Sequence, residues 1–381
     1  MTETLTINPK DWDTILPLYT ELGHAELNAA TLDDWLQRWS YLESHLNEFG
    51  LVTYRAKTED TTNEQAEQDF LYLIEELEPK RAVEVQKLKQ KFLAANVGTL
   101  PNHIAHMRKR FQAEADLFRE ENIPLQTEVE RLSNEYDKIV GAMTVEIDGE
   151  TLTIPQANKL LSEPDRALRE HVWHTTMNRA LQDRAACNDL YLQMRTLRQQ
   201  IARNAGKASF IEYVWQQYGR FDYTPADCFT FHDAIEHEIV PVVRKWHAKR
   251  QQQMGIEPLR PWDLDVDPLN LPALTPFQTG EQLEEGIQHM FERVDPELGQ
   301  QFMRMRDGYL DLESRQGKAP GGYCGGMDVA KVPYIFMNAV GTHDDVQTML
   351  HEGGHAFHFF DSSTHNDLVW NYNASIEFCE V

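Results

Sequence analysis

A chain of 381 residues is long enough for a sizeable core and for more than one subdomain, and its 41% hydrophobic content excludes a disordered protein. Its 61 acidic residues against 36 basic ones give a formal net charge of -25, which argues against broad binding to nucleic acid or to anionic membranes, since both need a basic face. The start MTETLTINPKDW lacks the basic and apolar blocks of a secretion signal, and no apolar run is long enough to span a bilayer; with Cys187, Cys228, Cys324 and Cys379 too scattered for a thiolate metal site or a disulfide framework, a reduced cytoplasmic protein is expected.

From about Thr31 to Lys138 the chain is rich in strong helix formers and poor in Gly and Pro. Apolar positions recur at three and four, as in Phe70, Ile74 and Leu77, which predicts several long antiparallel helices. The spacing is not a sustained heptad, which disfavours a free coiled coil. The acidic run from Glu59 to Glu78 reads as a solvated helix face. Val145–Ile147 and Thr151–Thr153 flank Asp148-Gly149, a pair that predicts a tight hairpin. Ser162, Pro164 and Asp165 form a start signal for one long helix to about Arg203, and Thr224-Pro225-Ala226-Asp227 repeats it for a helix to about Met254. His171 and His174, three apart with no acidic pattern after them, read as surface or packing residues, and Tyr213 and Trp215 as core. Pro258, Pro261, Pro268 and Pro272 predict an extended connection over 255–275, and Thr275-Pro276 opens another helical stretch. Further on, Gly308–Leu312 and Pro333–Asn338 read as strands, with Pro333 confined to a strand start or a sheet edge. Between them Gly321–Gly326 reads as a glycine-rich turn.

Thr342 and Asp345 cap a helix that carries His351-Glu352-Gly353-Gly354-His355. Two histidines four apart lie one turn above each other, so both imidazoles can reach one divalent ion, zinc by preference. Glu352 sits about 100° round the helix, beside that ion, where it can take a proton from a water the ion holds. Gly353 and Gly354 cost roughly 1 kcal/mol each in mid-helix relative to Ala, which points to a close approach there, by a metal or by a substrate strand. A third ligand must come from elsewhere. Asp361 lies ten residues after His351, but the pattern that uses that position needs Gly at 358, where this chain has His358. His365 is another option, and Glu377 and Glu380 share a face of a second helix begun near Ser375; spacing alone does not choose between them.

The stretch from Met337-Asn338 through Thr342, Asp344-Asp345-Val346 and His351–His358, followed by Glu377-Phe378-Cys379-Glu380-Val381, resembles the M3 peptidases. Ala205-Gly206 and Gly219–Pro225 resemble their oligoendopeptidase F group in particular, and the likeness runs from about residue 195 onward. It implies one zinc ion held by His351, His355 and Glu380, with Glu352 as catalytic base and Glu377 as a carboxylate behind the ligands. It also implies a mainly α fold, a multi-helix bundle with a small β-sheet next to the zinc helix, and a deep channel admitting short peptides. Residues 1–205 are then a helical lid-like region and 206–381 the N-terminal part of the catalytic domain. Gly322, Tyr323, Tyr334, Asn338 and His358 become candidates beside the substrate. The implied activity is that of a zinc endopeptidase for oligopeptides. The family pattern continues past Glu380 with a His and Tyr residues that have no counterpart here, so the alternative expectation is a zinc- or peptide-binding fragment that associates through apolar surface and needs a further segment.

Overall fold

The structure, a computed structural model, describes residues 7–380. Long helices build the first half: α1 (Trp12–His24), α2 (Leu32–Glu59), α3 (Glu64–Tyr72), α4 (Glu78–Ala94), α5 (Asn102–Leu117) and α6 (Ile123–Gly141). Helices α3 and α4 are one helix interrupted by a π turn at Leu73–Leu77. Their shared core interlocks aromatic rings: Trp35 meets Trp39 at 5.2 Å, and Phe111 meets Trp39 at 5.4 Å and Phe92 at 6.0 Å. Within it the buried Glu43 carboxylate accepts from Tyr19 Oη at 2.6 Å and Trp39 Nε1 at 3.1 Å and pairs with Arg81. A charge is tolerated there because its lone pairs are filled.

The expected hairpin is present: β1 (Thr144–Ile147) and β2 (Glu150–Thr153) pair antiparallel, with Asp148 and Gly149 at positive φ. After α7 (Ile154–Lys159) the long helix departs from expectation. It starts three residues later, at Asp165, whose carboxylate caps Ala167 and Leu168, and it breaks at Asp183 into α8 (Arg166–Gln182) and α9 (Arg184–Asn204). The next elements are α10 (Phe210–Gln217), which buries Tyr213, then α11 (Pro225–Ala234) and α12 (Val240–Met254). Thr224 and Asp227 form the expected capping box, but a π turn at Ile235–Ile239 divides the helix. His174 and His171 are both exposed on α8, His174 lying edge-on to Trp173 at 5.0 Å and tilted against Trp262 at 5.3 Å. The connection over 255–275 is irregular and largely extended, with a helical turn at Pro261–Asp263 and a tight turn at Asp267–Asn270, and the following helix, α13 (Gly280–Val294), is capped by Thr279 instead of opening at Pro276.

Helices α13 and α14 (Pro296–Met305) lead into strands β3 (Leu310–Glu313), β4 (Tyr323–Met327) and β5 (Val332–Ala339). The sheet order is β3-β5-β4, with β3 parallel and β4 antiparallel to the central β5. The glycine-rich segment read as a turn is therefore mostly strand β4; it keeps its ladder bonds because β5 supplies the partner groups. Pro333 sits at the second residue of β5. Helix α15 (His343–His365) covers the sheet, and a short α16 (Ile376–Cys379) follows.

Asp263 holds the 255–275 connection against α8. Its fully buried carboxylate accepts from Arg166 Nε at 3.0 Å, from a second Arg166 nitrogen at 3.0 Å, from Arg169 at 3.2 Å and from the Arg260 backbone at 3.0 Å. Burial alone pushes its pKa up, but the hydrogen bonds from Arg166, Arg260 and Arg169 outweigh it and hold the group below its ordinary value. This contribution to stability is full above the unfolded value of about 3.9 and is lost as pH falls through the folded one. Asp263→Asn leaves the buried Arg169 and the half-exposed Arg166 short of a counter-charge and should cost about 3 kcal/mol at pH 7. Thermal unfolding against pH checks this: the gap between wild type and variant should close only below about pH 4.

Candidate metal centre

The turn from β5 into α15 is closed by one carboxylate. Asp345 accepts from the backbone nitrogens of Thr342 at 2.7 Å, Gly341 at 2.9 Å and Val340 at 3.0 Å, while Thr342 Oγ1 accepts from Asp345 N at 3.3 Å. The direction of α15 is thus fixed as it leaves the sheet. One face of the helix packs into the core through Val346, Met349, Ala356 and Phe360. Gly353 is where that packing is tightest: a Cβ there would lie 2.7 Å from Phe291 Cζ of α13. The close approach expected at this glycine is therefore made by an aromatic ring, not by a metal or a substrate. Gly354 meets nothing within 4 Å of its Cβ position and opens onto the same face as the histidines. On strand β4, a Cβ at Gly326 would lie 2.0 Å from Phe359 Cε2, so a second ring seats the helix on the sheet.

Glu380 reaches this face by a chain of contacts from distant elements. Trp370 packs on Trp39 at 4.5 Å and on Phe111 at 5.3 Å, and its carbonyl accepts from Arg110 at 3.0 Å. Tyr372 meets Phe359 at 6.0 Å. Arg220 then pairs with Glu377. Glu377 is thereby turned to the 219–224 turn, where it fastens α16. No motif spacing pointed to Arg220 as the partner of this carboxylate, although the segment Gly219–Pro225 had stood out in the sequence.

The result is a cluster of three donors. His351 Nε2 lies 3.1 Å from His355 Nε2 and 3.4 Å from Glu380 Oε2, and His355 Nε2 lies 4.0 Å from Glu380 Oε1. Among the described residues this is the one group of three such side chains with ligand atoms all within 4.8 Å of one another. Donors held tetrahedrally at about 2.0–2.1 Å from an ion lie about 3.3 Å apart, so the set fits a zinc-sized cation. The cavity in front of it holds about 390 Å³ and is lined by Leu350, Gly354, His358 and Phe378 as well as the three donors. Burial, and then the neighbouring His351, lower the pKa of His355 despite Glu380, which favours the neutral imidazole that binds metal.

Glu352 is buried behind the histidines on the sheet side. Burial raises its carboxyl above the ordinary range, with Glu380 adding to the rise and His351 opposing it. No hydrogen bond occupies its oxygens among the described residues; Oε1 lies 3.9 Å from the Cβ position of Gly322. Gly322 in turn follows a turn that Asn338 fixes by donating to the Ala319 and Gly321 carbonyls, each at 2.9 Å. Tyr323 and Tyr334, read as candidates beside the substrate, face the other way. Their hydroxyls bond Thr58 at 2.8 Å and Glu59 at 2.8 Å on α2, and Tyr334 is fully buried. Asp361 also lies off the site, 3.4 Å from His365 on an exposed flank. The helix runs straight through His358, and ten residues carry Asp361 about 15 Å along its axis from His351.

A helix with two histidines one turn apart, a carboxylate brought across from a second helix and a small sheet alongside is the frame of a metallopeptidase. The model of Peptidase family M3 matches residues 159–381, more than half of the chain, and the protein belongs to that family. An oligoendopeptidase F homolog of Lactococcus lactis is 25% identical over 122 residues, which is 32% of this chain and 20% of that relative. The fold is also that of PZ peptidase A solved with an inhibitor (TM-score 0.91, 23% identity, 99% of this chain and 68% of that one). A protein described as an oligoendopeptidase F from Bacillus anthracis superposes with TM-score 0.90 at 19% identity, covering 99% of this chain and 70% of the other. The mainly helical fold with a small sheet is thus shared with these peptidases.

If Glu380 completes the donor set, Glu380→Ala should weaken zinc binding by more than the roughly 100-fold that loss of an outer partner costs. Competition titration with a chelating dye measures it. Asp361→Ala and Glu377→Ala should stay within about that range, Glu377 because it acts only by fastening α16.

Proposed function

We propose that the protein is a zinc-dependent endopeptidase that hydrolyses short peptides. The observation that carries this reading is the convergence of His351, His355 and Glu380 with the buried carboxylate of Glu352 beside them. Two imidazoles and one carboxylate suit zinc over harder or softer ions. A bound ion supplies Lewis acidity, polarising the scissile carbonyl and acidifying water. Glu352 is the general base: its Oε1 takes the proton of the attacking water and then delivers it to the leaving amine nitrogen. Burial keeps that carboxylate from holding a counter-ion and raises its basicity, which suits both transfers. Gly322 packs its backbone against β5 beside Glu352, where a Cβ would lie 3.2 Å from the Phe336 carbonyl oxygen, so no side chain stands next to this carboxylate on the sheet side and a peptide backbone can run there. In this reading residues 1–205 form the lid-like part, and His358 lines the approach. No described helix is long and apolar enough to cross a membrane, and the net charge of -25 supports a protein that handles peptides in solution, away from nucleic acid.

A second reading is favoured by one feature. Helices α11 and α12 bury no residue among those described, and Phe229, Phe231 and Trp246 stand more than half exposed on them. Phe378, next to the donor cluster, is 71% exposed. In this reading the chain binds metal and peptide, and turnover requires another segment packed over that apolar surface.

Glu352→Gln tests the first reading. Zinc content should stay unchanged while cleavage of a quenched peptide falls by about 10²–10⁴-fold; cleavage undiminished by this substitution removes Glu352 from the mechanism. Wild-type chain with full zinc and no turnover points to the second reading.

A further inference from the structure

A cavity of about 710 Å³ begins where the turn beside Glu352 ends. Gly321 and Asn338 form its inner edge, and the next residue, Gly322, is the one whose Cβ position lies 3.9 Å from Glu352 Oε1. Its outer wall is a stripe of α8: Trp173, Met177, Ala180 and Leu181 follow the i, i+4, i+7, i+8 rule and so share one helix face. Met143 and Ile154 close the opposite side. Met177 and Leu181 are 39% and 56% exposed, large apolar groups that face this space in place of a packing partner. No acidic residue lines the cavity, although the chain as a whole is strongly acidic; Arg184, Arg315 and Lys318 lie at its polar rim. The walls are anchored. Lys318 is buried and donates to the Asp311 and Glu313 carbonyls at 3.0 Å each and to Met337, fixing the turn, and the Asp263 clamp fixes α8.

We propose that this cavity is a specificity pocket that receives one large apolar side chain, aromatic or long aliphatic, of the bound peptide. The proposal rests on the peptidase reading for the peptide itself. An extended peptide advances about 3.3 Å per residue and turns alternate side chains to the same side. A chain passing Gly322 with its reacting carbonyl near Glu352 therefore carries a side chain to the pocket mouth within about two residues of the bond. An apolar wall of this size rewards a Phe or Leu over an Ala by about tenfold or more, since the added area leaves water. It opposes a cationic side chain, which would lose its hydration beside Arg184 and Arg315 with no carboxylate to pair with.

Peptide binding to the zinc-loaded, full-length Glu352→Gln protein isolates the pocket from turnover. Fluorescein-labelled peptides carrying Ala, Phe or Lys at each position in turn are titrated by anisotropy. At one position Phe should bind about tenfold or more tighter than Ala. Adding Met177→Glu should erase that preference and favour Lys, and adding Ala180→Trp, which fills the space, should erase it without favouring Lys. Met177 and Ala180 are exposed, so both variants should fold, and thermal melts matching the parent check it. No Phe preference at any position, absence of binding, or a preference that both variants leave intact overturns the pocket. Selective binding together with a wild-type protein that cuts none of the peptides leaves the pocket standing and removes the peptidase reading. Cleavage without any change of preference does the reverse.

Discussion

Two rings pressed against two glycines seat the helix on which the site is built. Phe359 lies over Gly326 of the edge strand, and Phe291 of α13 lies over Gly353 of α15 itself. Neither contact tolerates a Cβ without displacing an aromatic ring, so the distance from the sheet to the helix and the rotation of the helix about its axis are both set by sterics. Rotation is what matters for the chemistry. With Gly353 turned to the core, His351, Gly354 and His355 must face outward, and Glu352 must face the sheet. The division between outward-facing and sheet-facing groups follows from where one phenylalanine packs.

The third donor depends on a different constraint. Glu380 lies on no element of the sheet or of α15; it is delivered by a segment pinned to the N-terminal core through Trp370 and to the 219–224 turn through Arg220. The first-half helices therefore have a direct mechanical part in the candidate site. Asn338 and Lys318 act similarly for the peptide side: each spends its donors on backbone carbonyls, which gives the turn before Gly322 a fixed shape.

Much of this frame was legible from local chemistry. Asp148-Gly149 specified the hairpin, and the capping boxes at Thr224 and Thr342 marked helix starts, because each signal is satisfied by atoms within a few residues. The two histidines share a face for the same local reason. What was not legible depends on distant partners. The break at Asp183 carries no Gly or Pro, and the π turns at Leu73–Leu77 and Ile235–Ile239 leave no mark in the apolar period. The glycine-rich segment reads as a turn by composition and is a strand because β5 pairs with it. Tyr323 and Tyr334 have strand-like alternation either way, and only α2, more than two hundred residues away in sequence, decides that they face the core.

The central claim is that His351, His355 and Glu380 bind one zinc ion together. Zinc-edge X-ray absorption on the full chain reads the donor atoms directly. The account predicts two imidazole nitrogens with oxygen completing the shell, all at about 2.0–2.2 Å, and a loss of one oxygen donor or of the metal in Glu380→Ala. A sulfur shell near 2.3 Å, or fewer than two imidazoles, would contradict it.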